Sequence, residues 1–271
     1  MPEIVVRVKK ISPGAKIIIS SNGLATELIV ENMKRILAVD KKIGVRISLD
    51  GTKEKHEAIR GIPGIYDRAI ETIGRLKKIG VKNLGLSFTI MDSNIGDLPQ
   101  VYNLAKNLNL QLALALVQNS EIYFGKTDNR MSRALELKRS LDYVVNKELA
   151  GGNFKNWLRA YYNYGLKHFA FTGKRLLASG AGVDSLFIDP LADVYPSNLI
   201  NYKIGSILNS KLDQVWQSAE AQEIRRQIRK NHISESWIIC TVRGEMKRHK
   251  AKIIAWIIKN KLRIIFGCKV K

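Results

Sequence analysis

The chain has very little cysteine, with only Cys240 and Cys268 among its 271 residues. A disulfide-stapled fold is therefore excluded. Residues 1–10 contain no basic stretch followed by a long apolar one, so we expect no signal peptide and a reducing, cytoplasmic setting. The longest apolar run near the tail, 253–258, is far below the roughly 20 residues of a membrane-spanning helix. We therefore expect no transmembrane segment.

Acidic residues are also scarce, with 24 Asp and Glu against 45 Lys and Arg, which gives a formal net charge of +21. Such an excess favours anionic partners such as phosphates or acidic lipid head groups. The basic residues are scattered as pairs along predicted solvent faces of helices, so we do not expect a specific nucleic-acid site. The 45% hydrophobic residues are enough for a globular core.

The first half alternates short β-branched runs with helical patterns. Strands are predicted at 16–20, 44–50, 83–90 and 111–117, and helices at 27–38, 65–79 and 97–108. This is the spacing of repeated βα units, which form a parallel sheet with right-handed crossovers. The sequence therefore predicts an α/β fold for this half.

The pattern changes after about residue 118. Two long helices are predicted at 131–149 and 154–177, and the second carries an aromatic cluster that we interpret as core packing, Trp157, Tyr161, Tyr162 and Tyr164. Short strands broken by Gly, Pro and Asn at 179–210 are typical of a small loop-rich module. A further helix follows at 211–230.

The tail sets isoleucines beside lysines in the pattern of a basic amphipathic helix. Two interpretations follow. The apolar face either packs against the parent domain, which is the commoner arrangement, or lies on an anionic membrane.

Polar residues follow each predicted strand of the first half, where α/β sheets bind ligands. They are Asn22, Ser48, Asp50, Asp92, Asn94, Gln118 and Asn119, with Ser21 at the end of the first strand. Asp50 suits two roles equally, accepting hydrogen bonds from a ribose hydroxyl pair or capping a loop. Arg60, in the predicted loop after the second strand, suits a ligand carboxylate or phosphate.

Histidines give no sign of a metal centre. His56 is expected to be a surface or capping residue of the same loop, because no second histidine lies at ligand spacing. His232 and His249 likewise have no histidine at that spacing. We therefore expect no zinc site.

Three strings resemble the third, fourth and fifth strands of the radical S-adenosylmethionine (radical SAM) enzymes that carry a C-terminal SPASM extension. They are IIISSNGLAT at 17–26, VRISLDGTKEKHEAIRG at 45–61 and LSFTIMDSNIGDL at 86–98. The resemblance implies an α/β fold, a partial (β/α)6 TIM-like barrel missing its first strands, plus a small loop-rich SPASM-like module. The implied domains are a partial radical SAM barrel at 1–150, a helical linker at 151–178, a degenerate iron-sulfur module at 179–246 and a basic amphipathic helix at 247–271.

The same resemblance implies two cofactors, S-adenosyl-L-methionine and a [4Fe-4S] cluster. It implies reductive cleavage of S-adenosylmethionine and 5′-deoxyadenosyl radical chemistry on a peptide or small-molecule substrate. The cofactor-binding candidates that match the family's strand ends are Ser48, Asp50, Arg60, Asn22 and Asn94.

The later strings 179–198, 204–207 and 236–243 resemble the family's auxiliary iron-sulfur module, but three positions that are normally cysteine hold Ser179, Ser197 and Ser236. Only Cys240 remains as a candidate metal ligand. One thiolate cannot hold a [4Fe-4S] cluster, because cluster iron needs several soft sulfur donors.

The family's CxxxCxxC loop and its glycine-rich second-strand motif are also missing from this sequence. We therefore expect no reductive cleavage by this chain alone. The alternative is a non-catalytic binding or scaffold descendant that uses its basic surface for an anionic partner. We also expect the strand at 16–20 to be an uncovered edge that invites a partner chain.

Overall fold

The computed structural model describes residues 1–230 and 236–270, and the chain divides into two compact units, Met1–Ala115 and Leu116–Lys271. His232 lies outside the described residues. The expectation that it has no metal-binding partner therefore stays a prediction. The division falls earlier in the chain than the boundary at 150 expected from sequence. The four predicted segments remain a prediction.

The first unit is a four-stranded sheet in the order β1-β2-β3-β4 with helices connecting the strands. Its strands are β1 (Ile18–Ser21), β2 (Gly44–Ser48), β3 (Asn83–Ile90) and β4 (Gln111–Leu116). Its helices are α1 (Pro2–Ile11), α2 (Thr26–Val39), α3 (Lys53–Arg60), α4 (Ile65–Lys78) and α5 (Leu98–Asn107). The β1/β2 and β2/β3 pairs are parallel. The predicted α/β class with a parallel sheet is therefore confirmed.

The two faces of this sheet differ in chemistry. Strand side chains alternate between faces, and one face carries residues that are at most 6% exposed, among them Val45, Ile47, Leu86, Phe88 and Leu114. The other face carries small or polar residues that are exposed, as Ser20 is, or only partly covered, as Arg46, Ser48, Ser87 and Thr89 are. The apolar face forms the core, and the polar face is open to a ligand.

One predicted loop is a helix. The segment after β2 forms α3, which ends at Gly61 in the left-handed conformation, with φ +65°. Arg60 is therefore the last residue of a helix and not a loop residue. The expectation of a surface His56 is also wrong, because its side chain is fully buried on this helix. The glycines and proline at 61–64 predict a loop, but the residues before them, 53–60, are helical.

The edge position of β1 agrees with the sequence prediction. Within 1–230 and 236–270, β1 pairs with β2 alone. Ile18 on this strand is 42% exposed. An edge strand with unpaired backbone groups is a site at which another strand can add.

The second unit is mainly helical around a small antiparallel sheet. The sheet has the order β5-β6-β7, with β5 (Phe187–Ile188), β6 (Asp193–Tyr195) and β7 (Gly205–Ser206). The helices before it are α6 (Glu121–Phe124), α7 (Ala134–Ala150) and α8 (Phe154–Thr172), and those after it are α9 (Leu212–Gln217), α10 (Ala219–Arg229), α11 (Ile239–Arg248) and α12 (Lys250–Ile265).

Aromatic side chains form part of the core of this unit. Tyr161 and Tyr162 on α8 are 2% and 6% exposed. Tyr161 makes an edge-to-face contact with Trp256 of α12, and Tyr162 stacks on Trp237. Burial raises the pKa of Tyr161 to about 12. The aromatic cluster predicted on this helix is therefore core packing.

Helix α12 packs one face against the unit through Ile253 and Ile257, which are 1% and 3% exposed. The predicted packing of the amphipathic tail is thus confirmed for that face. Among the residues described here, no helix is both long enough and apolar enough to cross a membrane.

Candidate functional site

The ends of β2 and β3 place two hydroxyls side by side on the open face of the sheet. Ser48 and Ser87 are register partners, and their Oγ atoms lie 3.4 Å apart. That distance is at the upper limit for a hydrogen bond, and hydroxyl pairs normally lie near 2.7–2.8 Å. Both side chains are only partly buried. Each hydroxyl can therefore still form a hydrogen bond with a ligand.

Arg46 lies on the same face, two residues before Ser48, and sequence reasoning missed it. Its Nη1 donates to the Asn83 carbonyl at 3.0 Å, and its Nη2 donates to Asn83 Oδ1 at 3.0 Å and Gln111 Oε1 at 3.3 Å. The side chain crosses Gly85, where an added Cβ would lie 3.1 Å from Arg46 Cδ. The two-residue alternation within β2 was the available signal, because it places Arg46 and Ser48 on one face.

Asp50 is buried just beyond β2, with its side chain 3% exposed. Its Oδ1 accepts the Thr89 backbone N–H at 2.9 Å, and its Oδ2 pairs with Nη2 of Arg60. A buried carboxylate of this kind is stable because it is both hydrogen-bonded and ion-paired. Asp50 therefore serves the protein itself and orients Arg60.

Asn94 joins the segments that follow β2 and β3. Its side chain donates from Nδ2 to the carbonyls of Asp50 and Thr89, both at 2.9 Å, and its Oδ1 accepts the Met91 N–H at 2.8 Å. The residue is 1% exposed. It is a buried staple between two strand ends and presents little surface to a ligand.

His56 completes the support of this loop. Its Nδ1 accepts the Asp50 backbone N–H at 3.0 Å, so the neutral ring carries its proton on Nε2. Within the described residues Nε2 has no hydrogen-bond partner. Burial lowers the pKa of His56, with a smaller lowering from Arg60 and opposing contributions from Asp50 and Glu57. The ring is therefore held neutral.

A second carboxylate missed by sequence reasoning fixes the start of α3. Asp97 Oδ2 accepts both the backbone N–H and the hydroxyl of Thr52 at 2.8 Å. Thr52 is the residue before the helix. The start of the segment between Asp50 and Arg60 is thus tied to the segment that follows β3, and its end is tied back to Asp50.

Asn22 lies at the same edge of the sheet, one residue past the Ser21–Ile47 register pair, and is exposed. Its Oδ1 accepts the Leu24 N–H at 3.1 Å. The turn is tight because Gly23 has φ +78° and an added Cβ would lie 2.9 Å from Ile47. Unlike Asp50 and Asn94, this side chain is available at the surface.

These contacts divide the five candidates into two groups. Asp50 and Asn94 are buried and engaged within the protein, whereas Ser48, Asn22 and Arg60 keep exposed polar atoms. Arg60 has a side chain that is 33% exposed. A guanidinium and a hydroxyl are donors that match a ligand carboxylate and a ribose, and Arg60, paired with Asp50, and Ser48 supply them near the end of β2. The residues present therefore fit S-adenosylmethionine.

The second candidate site consists of the four positions at which the resemblance implies cluster ligands. Backbone hydrogen bonds bring their loops together, since the Gly180 N–H donates to the Thr241 carbonyl at 2.9 Å and the Gly182 N–H donates to the Pro196 carbonyl at 3.2 Å. The Gly180–Thr241 bond places Ser179 near Cys240 in the chain segments that it joins. The Gly182–Pro196 bond places the loop that follows Ser179 next to the segment that contains Ser197. The frame of a single site is therefore present.

The side chains in that frame make protein contacts of their own. Ser179 Oγ accepts the Ala181 N–H at 3.0 Å, and Ser197 Oγ accepts the Leu199 N–H at 3.3 Å. Ser236 Oγ is buried with no described hydrogen-bond partner, and Cys240 is an exposed free thiol. Throughout 1–230 and 236–270 there is no group of three or more His, Cys, Asp or Glu that could hold a metal ion. These residues do not fit an iron-sulfur cluster.

Comparison with known proteins agrees with the folds of both units. The SPASM family, described as an iron-sulfur cluster-binding domain, matches residues 180–241. Pre-heme d1 synthase of Dinoroseobacter shibae is 28% identical over 68% of this chain and 51% of its own length. Fe-coproporphyrin III synthase of Methanosarcina barkeri is 29% identical over 48% of this chain and 31% of its own length. The chain thus spans at most about half of each of these two relatives.

Two solved structures share the fold. One, native anSMEcpe with bound AdoMet, is 17% identical over 77% of this chain and 58% of its own, with a TM-score of 0.51. The other is Streptococcus suis SuiB bound to precursor peptide SuiA, which is 14% identical over 83% of this chain and 52% of its own, with a TM-score of 0.55. Together with the family match at 180–241, these likenesses support the resemblance of the chain to radical SAM/SPASM proteins.

Proposed function

We propose that this chain supplies the S-adenosylmethionine-binding strand ends of a radical SAM protein that acts on a carboxylate-bearing tetrapyrrole. The observation that carries the proposal is the pairing of Arg60 with the buried Asp50, two residues after Ser48, the last residue of β2. The buried carboxylate fixes the guanidinium, while a third of the arginine side chain stays exposed. A ligand carboxylate has an oriented partner there.

The sheet itself belongs, in this proposal, to a partial (β/α)6 barrel. Its polar face would line the barrel interior, and the uncovered β1 would pair with a further strand, from a longer form of this protein or from a partner chain. Both features support the proposal, since a polar face suits a ligand-binding interior and an unpaired edge can pair with a further strand.

S-Adenosylmethionine, when bound and reduced, supplies a 5′-deoxyadenosyl radical for hydrogen abstraction. The chain's own residues bind and orient it. Arg60 would receive the methionyl carboxylate, Ser48 and Asn22 would hydrogen-bond the ribose, and Asp50 and Asn94 would position them from beneath. His56 would hold the Asp50 backbone in place through its unprotonated Nδ1.

No electron-transfer step runs through residues of this chain. Reductive cleavage requires thiolates around an iron-sulfur cluster, and the sequence contains only Cys240 and Cys268. We infer that the chain does not cleave S-adenosylmethionine by itself. The SPASM-like segment then serves as a packed, cluster-free module.

The substrate class follows from the relatives and from charge. All three curated relatives are named for heme or porphyrin synthesis, the third being the AdoMet-dependent heme synthase of Methanosarcina barkeri. Porphyrins of this kind carry several carboxylates, which a chain of net charge +21 attracts. Peptide substrates are the alternative within the same family, since SuiB binds a precursor peptide.

S-Adenosylmethionine binding tests the proposal directly. Calorimetric titration of the anaerobic chain should give binding that Arg60→Gln weakens by at least about tenfold, the effect of losing one charge-assisted hydrogen bond. Arg68→Gln is the matched control, because Arg68 lies on neighbouring α4 with an exposed partner, Glu71. Equal affinity of the two variants would refute the assignment of Arg60.

A second titration tests the substrate class. Fe-coproporphyrin III should shift its Soret absorption on binding, and its tetramethyl ester should bind much more weakly because the carboxylates are masked. Equal binding of acid and ester would contradict carboxylate recognition and leave only apolar association.

A non-catalytic scaffold is the second candidate function, and the serines favour it. Each of Ser179 and Ser197 has a hydroxyl that accepts a backbone N–H, and a hydroxyl is a poor substitute for the soft thiolate that cluster iron requires. Binding of an anionic partner with no affinity for S-adenosylmethionine would support this alternative over the first.

A further inference from the structure

The exposed face of α12 is an unusual surface for this molecule. Its apolar residues recur at the helical spacing of three and four, and they are Ile254, Ile258, Leu262 and Ile265, followed by Phe266 just past the helix. Their exposed fractions are 42%, 56%, 50%, 72% and 76%. We call this set the α12 stripe. A contiguous apolar stripe of this kind marks an interaction surface.

The stripe is not the face through which α12 mainly packs on its own unit. The opposite face of α12 does that, through Ile253, Ile257 and the fully buried Asn260. Trp256 adds aromatic contacts with Tyr161 and Tyr164. One face of the helix is therefore packed on the unit, and the opposite face carries the stripe. The stripe is exposed although the helix itself is packed.

The charge of the tail that carries the stripe is of one sign. From 250 to 271 the sequence has seven basic residues and no Asp or Glu, and the basic ones are Lys250, Lys252, Lys259, Lys261, Arg263, Lys269 and Lys271. Among these, Lys250, Lys252, Lys259 and Lys269 are exposed. Lysines beside an apolar helical face extend their aliphatic stems along it and keep their ammonium groups at the rim.

We propose that the α12 stripe docks on the surface of an anionic lipid bilayer, with the helix parallel to the membrane plane. Aliphatic and aromatic side chains on one face with lysine at the rim is the composition of interfacial helices. Polybasic segments are attracted to acidic lipids by about fivefold in affinity per residue near the surface. Charge and apolarity thus favour the same occupant.

A second copy of the chain fits the stripe less well. A symmetric dimer would bring the same basic rims together, and like charges repel. Lysine is also depleted at protein–protein interfaces. A lipid surface of opposite charge satisfies both features at once.

Vesicle flotation with the whole chain tests the proposal. The protein should float with vesicles of phosphatidylglycerol and phosphatidylcholine and remain unbound with phosphatidylcholine alone. Ile258→Ser and Leu262→Ser together should reduce binding by at least about tenfold, because the buried apolar area is lost. Leu208→Ser is the matched control, since Leu208 is a 71% exposed leucine elsewhere in the same unit.

Salt and charge variants separate the contributions. Lys252→Gln with Lys259→Gln should weaken binding by more than about tenfold at low salt and by less at high salt, because salt screens the attraction. Circular dichroism on the same samples checks that each variant stays folded. Equal flotation of the stripe variant and the Leu208→Ser control would overturn the proposal. So would concentration-dependent dimerisation that Ile258→Ser abolishes together with an absence of vesicle binding.

Discussion

The strand ends of the first unit and the serine cluster of the second treat polar side chains in different ways. At the strand ends, Asp50 is sealed inside the protein and carries Arg60 to the surface. In the second unit, Ser179 and Ser197 turn their hydroxyls back onto their own loops. The first region therefore presents a charged hydrogen-bond donor at the surface. In the second region, the two serine hydroxyls form hydrogen bonds within their own loops.

This difference teaches how a ligand site and a packed remnant are told apart. In a ligand site, the protein orients polar side chains but leaves part of their hydrogen-bonding capacity for a ligand, as with Arg60 and Ser48. A remnant keeps the frame, as the Gly180–Thr241 backbone bond does, while its side chains become ordinary caps. Substitutions that remove the packing or the polar support of one region at a time therefore test the contrast.

The largest effect is expected from Trp237→Ala, which tests the frame of the second unit. Trp237 is fully buried, its Nε1 donates to the Tyr162 carbonyl at 2.9 Å, and its ring fills the space over Gly165. Loss of a buried tryptophan costs about 3–5 kcal/mol of the unfolding free energy. Denaturant unfolding measures it, with Ile239→Ala, a 40% exposed neighbour, as the control. A loss below about 1 kcal/mol would show that the frame does not depend on this ring.

Asp50→Asn is expected to have the next largest effect. The variant keeps an acceptor for the Thr89 N–H but removes the charge that faces Arg60. Because the arginine is a third exposed, water compensates part of the loss, and we expect about 1–2 kcal/mol in the free energy of unfolding, measured by denaturant titration.

Asp67→Asn is the control for that measurement, since Asp67 pairs with Lys53 at the surface and both side chains are largely exposed. Such pairs contribute about 0–1 kcal/mol. The distinction between a sealed carboxylate and a surface one fails if the two variants lose the same stability.

The third prediction concerns pH. His56 has a pKa lowered from 6.5 by burial, so the folded protein holds it neutral while the unfolded chain protonates it. The stabilisation is complete above pH 6.5 and declines as the pH falls from 6.5 to the lower folded pKa, with a slope of up to about 1.4 kcal/mol per pH unit. His56→Asn retains an acceptor for the Asp50 N–H and should flatten this part of the stability curve. An unchanged slope in the variant would assign the pH dependence to other groups.

The smallest effects separate the serines of the second unit. Ser197→Ala removes the acceptor of the Leu199 N–H and should cost about 0.5–1 kcal/mol. Ser236→Ala removes a buried hydroxyl without a described partner and should be neutral or stabilising by up to about 1 kcal/mol. Thermal unfolding of the pair measures the difference. The opposite order would mean that Ser236 has taken over a polar role in the module.

Much of the first unit was predictable because its signals are local. The β-branched runs and the helical periodicity gave β3 at 83–90 and placed β2 and β4 within a few residues. Helix α3 was not predicted, since its eight residues carry few apolar positions and its stability comes from Thr52, Asp97 and the buried His56. Those partners lie on other segments, which local patterns do not reveal.

The same limit applied to the candidate site. Polar residues after each strand could be located by position alone, and Ser48, Asp50 and Arg60 indeed lie at one end of the sheet. Whether a carboxylate faces a ligand or the protein depends on what approaches it in space. Asp50 was equally suited to both roles in the sequence, and the Thr89 N–H and Arg60 decide that it faces the protein.

The sequence by itself determined the α/β pattern of the first half, the excess of positive charge and the lack of thiolates for a cluster, because these depend on composition and on spacing along the chain. Tertiary structure decided which polar atoms form hydrogen bonds within the protein and which remain available to a ligand. It also decided which face of α12 is buried and which is exposed. Burial and hydrogen-bond pairing are properties of neighbours in space, and distant segments of the chain supply those neighbours.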